Sequence, residues 1–250
     1  MDIGLIGYGK VNQTLAKQLK KNHKIYTTIE GRSQNTINNA QKTEINILKT
    51  NKELAQKSDL LISANTPSEA LKIAQNFSKY YNKLYLDLNN INPKTSQKIA
   101  KTLGENYIDG AIIGKVTDLK LLLLSGPQAT KLEFLKQNNI NIKILSQKIG
   151  DASTLKMLRS IYTKGVTALL IETFDNAKQL NLNQELWEIL ELTENTNFKS
   201  KSTSRIENTK TSTKRKNEEL KEILKFLENN NTSQYNQIMT KATKNKFKKL

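Results

Sequence analysis

Two clusters of residues in this sequence have the types and spacing to do chemistry. Near the start, Ile3-Gly4-Leu5-Ile6-Gly7-Tyr8-Gly9-Lys10-Val11-Asn12 runs from a short apolar strand into a glycine turn. Gly7 permits the tight turn out of the strand, and Gly9 lets backbone N–H groups approach a pyrophosphate at the start of the next helix, so the pattern names a dinucleotide as ligand. Asn12 replaces the third glycine, which weakens the match to G-x-G-x-x-G. The second cluster is Gly150-Asp151-Ala152-Ser153-Thr154-Leu155-Lys156-Met157-Leu158-Arg159-Ser160-Ile161-Tyr162-Thr163-Lys164-Gly165. Small residues open a helix there, and Lys156, Ser160, Thr163 and Lys164 share one face of it. A lysine between Leu155 and Met157 gives up its proton more readily in a desolvated site or beside another cation, which suits it to exchange a proton with a substrate hydroxyl. Taken alone, a lysine on a long amphipathic helix is most often a solvated side chain.

Regular elements must hold these clusters in place. Strand signals recur at Lys24 to Ile29, Ile45 to Leu48, Leu60 to Ala64, Leu84 to Leu88, Asn106 to Ile108, Leu121 to Ser125 and Ile142 to Leu145. Helical periods separate several of them, with apolar residues at Val11, Leu15 and Leu19 and at Ala70, Leu71, Ala74 and Phe77. This alternation predicts an α/β fold with a Rossmann-type, doubly wound, mainly parallel sheet. From Asp151 the period becomes helical throughout. One long amphipathic helix reaches about Leu180, further helices are expected from Gln184 to Leu192 and from Glu218 to Leu227, and the polar span Thr193 to Ser212 reads as a loop or a frayed helix. The basic residues Asn245 to Leu250 are expected to form a mobile tail. The expected organisation is a nucleotide-binding domain over 1–148 and an all-helical substrate and dimerisation domain over 149–250.

In an open α/β sheet, ligands bind outside the carboxyl ends of the strands. The turn after the second strand reads Glu30-Gly31-Arg32-Ser33. Glu30, about twenty residues beyond the glycines, has the spacing to bind a free ribose 2′-OH, whereas Arg32 and Ser33 make a charge-assisted site for a 2′-phosphate. The phosphate reading is favoured, and an ordinary solvated turn is the alternative to both. The next two strand ends carry Asn65-Thr66-Pro67 and Asp87-Leu88-Asn89-Asn90. Asn65, Thr66, Pro67 and Asn89 are candidates for the nicotinamide half of the cofactor and Asn90 for the substrate, with cap or turn roles as the competing use.

Composition narrows the classes. The sequence has 250 residues and no cysteine, which excludes disulfides, thiol catalysis and thiolate metal sites, and its single histidine, His23, cannot build a metal site alone. A formal charge of +17 would suit nucleic acid, but lysine is spread over every segment, so a general bias is the better reading and the field favours small anionic ligands instead. With no basic-then-apolar leader and no apolar run of membrane-spanning length, a soluble, cytoplasmic protein is expected, with neither a membrane nor a nucleic acid as partner.

In these residues the sequence resembles the β-hydroxyacid dehydrogenase superfamily, which includes 3-hydroxyisobutyrate and 6-phosphogluconate dehydrogenases, and in particular its branch of phosphogluconate-dehydrogenase-like oxidoreductases with a short C-terminal domain. The resemblance rests on Ile3 to Val11, Gly31-Arg32-Ser33, Asp87-Leu88-Asn89-Asn90, Asp109-Gly110-Ala111-Ile112-Ile113-Gly114, Leu124-Ser125-Gly126-Pro127 and the Gly150 to Leu180 segment, in the family's order. It implies an NAD(P) site at Gly7, Tyr8, Gly9, Lys10 and Val11, with NADP rather than NAD indicated by Arg32 and Ser33. It also implies a substrate cleft between domains, a homodimer formed through the helical domain, and Lys156 as the acid/base that takes the substrate hydroxyl proton while hydride leaves for the nicotinamide. Ser160 stands where the family has an asparagine one turn after the lysine and is the second expected catalytic residue. Ile113-Gly114-Lys115 replaces the family's Ser-Gly-Gly, which removes a hydroxyl for a substrate carboxylate and offers Lys115 as an anion contact. Lys164 is a further expected substrate contact. Lys214-Arg215-Lys216-Asn217-Glu218-Glu219-Leu220 resembles a basic-then-acidic motif of the same branch.

The expected function is therefore NADP-dependent interconversion of a hydroxyl and a carbonyl on a small hydroxyacid or sugar-acid substrate. Two alternatives remain: an NADP-binding sensor or scaffold that has lost its chemistry, and a Rossmann transferase for another adenosine-bearing ligand such as S-adenosylmethionine.

Overall fold

A computed structural model describes residues 1–194, 197–230 and 233–250. In chain order the elements are β1 (Asp2–Ile6), α1 (Lys10–Leu19), β2 (Lys24–Thr28), α2 (Gln34–Gln41), β3 (Asn46–Leu48), α3 (Asn51–Lys57), β4 (Leu60–Ser63), α4 (Ala70–Phe77), β5 (Leu84–Asp87), α5 (Pro93–Leu103), β6 (Tyr107–Ile113), β7 (Leu121–Ser125) and β8 (Ile142–Ser146). Then come α6 (Asp151–Gln179), α7 (Asn183–Thr193), α8 (Phe198–Lys210), α9 (Thr213–Asn229) and α10 (Ile238–Phe247). The chain divides into two compact units, Met1–Lys156 and Met157–Leu250, with the boundary inside α6.

The first unit is built on one eight-stranded sheet of order β3-β2-β1-β4-β5-β6-β7-β8. All neighbours are parallel except β6 and β7. The apolar runs follow from burial on both faces, since helices cover a parallel sheet on each side. Successive residues feed opposite cores: Ile3, Leu5, Leu60 and Ile62 pack on one face with Leu15 and Leu19 of α1, whereas Ile6 and Leu61 pack on the other with Leu54, Phe77 and Tyr85. Each helix presents a matching stripe, Asn12, Leu15, Ala16 and Leu19 in α1 and Ala70, Ala74 and Phe77 in α4. β1 lies between β2 and β4, so the direction of winding reverses there, and the crevice at the carboxyl ends of β1 and β4 is the place such sheets reserve for a ligand.

Three local expectations are corrected. The strand expected to end at Ile108 continues to Ile113, because β7 returns antiparallel and pairs Asp109 through Ile113 with Ser125 through Leu121. Most of the polar span from Thr193 to Ser212 is a regular helix, α8, although Asn195 and Thr196 lie outside the described residues. Its buried positions are Ser202 and Thr209, which carry no apolar periodicity to read. The expected loose tail begins inside α10, where Phe247 is fully buried against Leu220 and Ile223 and its carbonyl accepts from Asn217 Nδ2 at 3.2 Å. The inward residues of α10 before it are Thr240 and Thr243, so its pattern is polar for the same reason.

Candidate active site

The glycine turn has the geometry that a dinucleotide needs. Gly7 follows β1 with φ +84°, and a Cβ there would lie 2.5 Å from Asn65 Oδ1 and 2.9 Å from the carbonyl oxygen of Ala64, so no other residue fits. Gly9 is different. Its φ of −79° suits any residue, and a Cβ there would meet nothing within 4 Å, so the protein's own packing does not demand a glycine. A ligand lying against the backbone does demand one. Gly9 is the N-cap of α1, no side chain caps that helix, and its first turn holds no acidic residue, which leaves N–H groups and the positive end of the helix for an anion. Asn12 serves the turn in place of the third glycine: fully buried, it donates from Nδ2 to the carbonyls of Gly7 at 2.7 Å and Ile6 at 3.2 Å. The Tyr8 side chain is buried in the core, while exposed Lys10 and half-buried Val11 open the helix.

At the second strand end the carboxylate and the guanidinium are differently engaged. Glu30 Oε2 accepts from the backbone N–H of Asn51 at the start of α3, 2.5 Å away. Arg32 reaches across to the glycine turn, where Nη1 donates to Asn65 Oδ1 at 3.0 Å, and its buried Nε has no protein partner. An orphaned guanidinium N–H beside the turn, the open face of Gly9 and an uncapped helix start together fit a phosphate-bearing dinucleotide. Ser33 is the N-cap of α2, its Oγ accepting from the N–H of Thr36 at 3.4 Å.

A buried polar network supports this crevice from below. Asn65 donates from Nδ2 to the Ile6 carbonyl at 3.0 Å and to Ser63 Oγ at 3.1 Å, and its N–H donates to Asn89 Oδ1. Asn89 in turn donates from Nδ2 to Ser63 Oγ at 3.1 Å and from its N–H to Asp87 Oδ1 at 2.8 Å. Gly7, Arg32, Asn65 and Asn89 are thus brought together. Thr66, Pro67 and Asn90 lie exposed on the adjoining loops. Burial pushes the Asp87 carboxyl up to about 7 against the pull of the Asn89 N–H, and neighbouring Asp109 adds to the rise.

Asp109 connects the sheet to the lysine helix. It lies opposite Asp87 in the register of β5 and β6, and it takes the N–H of Ser153 on Oδ2 at 2.9 Å and the hydroxyl of Ser153 on Oδ1 at 2.6 Å. Ser125 Oγ donates to Asp109 Oδ2 at 3.3 Å and accepts the N–H of Ala152 at 3.0 Å. Burial raises the Asp109 carboxyl, and the Ser153 bonds work against that rise. The free N–H groups at the start of α6 therefore end on the sheet, three residues before half-buried Lys156. In the sequence, Asp109 and Ser125 stand out only as parts of matching motifs, and Ser153 only as one of the small residues that open the helix. The available signal was an aspartate inside an otherwise apolar strand, since a buried carboxylate requires donors.

Ser160 is half-buried one turn beyond Lys156, its carbonyl accepting from the Thr163 hydroxyl at 3.4 Å. Ile113 is the last residue of β6, and exposed Gly114, at φ +95°, and exposed Lys115 continue from it at the same end of the sheet as the glycine turn. Lys164, in the second unit, is buried and paired with Glu219 at 2.9 Å. Among the described residues no group of His, Asp and Glu could hold a metal ion, and no helix is long and apolar enough to cross a membrane.

Comparison with known proteins agrees with this geometry. Residues 2–91 match the family model described as NADP oxidoreductase coenzyme F420-dependent. The solved structure of 3-hydroxyisobutyrate dehydrogenase from Mycobacterium tuberculosis shares the fold at a TM-score of 0.81, with 13% identity over 99% of this chain and 92% of the other. A doubly wound sheet with this glycine turn at its switch point and a long helix after it is the fold shared with these dehydrogenases, and together with the NADP oxidoreductase match it makes the chain similar to the NAD(P)-dependent oxidoreductases of the β-hydroxyacid dehydrogenase superfamily. More narrowly, the chain belongs to the family of the "Uncharacterized 28.5 kDa protein in 7S RNA 5'region" of Methanothermus fervidus, being 41% identical to it over 99% of this chain and 98% of that one. The conserved protein MTH1747, described as structurally similar to 3-hydroxyacid dehydrogenases, is 33% identical over 100% of this chain and 96% of its own, with a TM-score of 0.85.

Proposed function

We propose that the protein interconverts a hydroxyl and a carbonyl on a small anionic hydroxyacid or sugar-acid, with NADP as its cofactor and Lys156 as general acid/base. The carrying observation is the pair of glycines: strained Gly7 under Asn65, and Gly9 with an open face beside an uncapped helix start. In oxidation, bound NADP supplies the acceptor for the hydride from the hydroxyl-bearing carbon. Lys156 Nζ, entering as the neutral amine, takes the hydroxyl proton as the C–O bond becomes C=O, and it returns that proton in reduction. Its position in the early turns of α6 supports this role, because Asp109 and Ser125 anchor that end of the helix. Ser160, one turn on, is assigned to the substrate oxygen beside Lys156. Asn65, Thr66, Pro67 and Asn89 are assigned to the nicotinamide half of the cofactor, and Asn90, Ile113, Gly114, Lys115 and Lys164 to the substrate and its charge. Spectrophotometry at the nicotinamide band tests the reaction, with a panel of hydroxyacids plus NADP and of oxoacids plus NADPH. No exchange across both panels, with NADP bound tightly in calorimetry, would favour a sensor instead.

The preference for NADP rests on Arg32. Glu30 is occupied by α3, whereas the guanidinium keeps an unsatisfied N–H next to the glycine turn. Arg32→Ala is expected to weaken NADP binding by about 10- to 100-fold, the loss of a charge-assisted contact, and to change NAD binding little. Calorimetric titration with each nucleotide measures this, and equal losses for both would show that Arg32 does not read the phosphate.

A homodimer through the helical unit completes the proposal. On α6, Leu158, Tyr162 and Leu169 stand at helical spacing and stay exposed, Tyr162 at 67% and Leu169 at 62%. Tyr162→Lys combined with Leu169→Lys is expected to shift the particle from dimer to monomer in light scattering. An unchanged mass would remove this stripe from the interface.

A further inference from the structure

The second unit contains a cluster of cations for which the proposed chemistry has so far used only Lys164. Lys164 is 7% exposed on α6, and its Nζ meets Glu219 Oε2 at 2.9 Å. The other carboxylate oxygen is held by Arg215 Nη1 at 2.6 Å. Half-buried Lys216 donates to Thr209 Oγ1, and the charges acting on it are Arg215 and Lys164, which repel it, and Glu219, which attracts it. Three cations thus gather around one carboxylate. Two of them lie in the first turn of α9, which has no acidic residue and whose N-cap Ser212 makes no side-chain cap bond. Cations at a helix N-terminus oppose its dipole, and a surplus of positive charge carried partly out of water favours an arriving anion.

We propose that Lys164, Arg215 and Lys216, with Glu219 holding the first two, form a site for a dianionic oxyanion, the phosphate of a phosphomonoester or the paired carboxylates of a dicarboxylate. Glu219 holds Lys164 and Arg215 in fixed positions, so little ordering remains to be done on binding. The largely exposed Arg215 can present its remaining N–H donors as a fork, and Lys216 adds a point charge beside it. Burial and the two neighbouring cations lower the Lys216 pKa, a strain that an anion would relieve. As a binding site for substrate charge this rests on the oxidoreductase reading above. As an anion site it does not, and the two can fail separately.

The test is calorimetric titration of the full chain with inorganic phosphate and with malonate, at constant ionic strength set with chloride. Saturable binding of one of them is expected, weakened at least about tenfold in Arg215→Gln combined with Lys216→Gln, and retained in Arg32→Ala, which removes the cofactor's proposed phosphate contact instead. Both altered side chains are at least partly exposed, so the variant should keep its melting temperature, and Lys216→Gln alone provides the same readout if it does not. Tighter phosphate than malonate identifies a phosphomonoester, and the reverse identifies a dicarboxylate. Equal binding by parent and variant, loss in Arg32→Ala alone, or no binding above chloride would overturn the site. None of these readings depends on turnover, so an inactive Lys156 leaves the result intact.

Discussion

Lys156→Met should lower kcat by about 10²- to 10⁴-fold on whichever substrate the parent enzyme turns over, the range for removing a positioned general acid/base. Methionine has nearly the length and the apolar stem of lysine, so the helix and its packing should persist, and NADP should bind as tightly as before. That combination matters. A structural role for Lys156 would lower the melting temperature along with the rate, whereas an acid/base role lowers the rate alone. Full turnover by Lys156→Met would remove the mechanism and leave the cofactor site untouched.

Asp109→Ala should be the most damaging single change away from the substrate. It strands the N–H and hydroxyl of Ser153 and one bond of Ser125 inside the first unit. Leaving buried donors without an acceptor costs about 1–3 kcal/mol each, so a loss of about 3 kcal/mol and a melting temperature lower by roughly 10 °C are expected. The start of α6 would also lose its tie to the sheet, and kcat should fall even in protein kept folded at low temperature. Asp109→Asn, which keeps a carbonyl acceptor, should recover much of the stability. Urea unfolding of the two variants, with kcat measured on each, separates anchoring from simple damage. Equal stability of Asp109→Ala and the parent would show that the helix start is held by other contacts.

Much of the first unit was legible because its signals are local. The glycine turn, the apolar strands and the periods of α1 and α4 each arise within a dozen residues, where backbone sterics and the two periodicities of side-chain direction act directly. α8, in the span that reads as a loop or a frayed helix, and α10, whose last residues read as a loose tail, carry Ser202, Thr209, Thr240 and Thr243 on their buried sides, so their amphipathicity never appears as apolar spacing. Tertiary context supplied the burial that composition did not announce. The same reason explains Asn12. In the sequence it is a defect in a glycine motif, and only the fold shows its amide holding the carbonyl of Gly7.

By itself, then, the sequence determined the ligand class, the doubly wound architecture and the candidate lysine, because short-range geometry leaves few ways to realise a strand, a glycine turn and a helix start in succession. The tertiary structure alone decided which polar residues hold those parts in register. Asp109 and Ser153 are 44 positions apart, yet one carboxylate closes the helix start. Lys164 and Glu219 come from different helices and meet as a partly buried pair. Such partners are chosen by the cost of leaving a charge or an N–H unpaired once the chain has closed around it, and that cost is incurred only in the folded molecule.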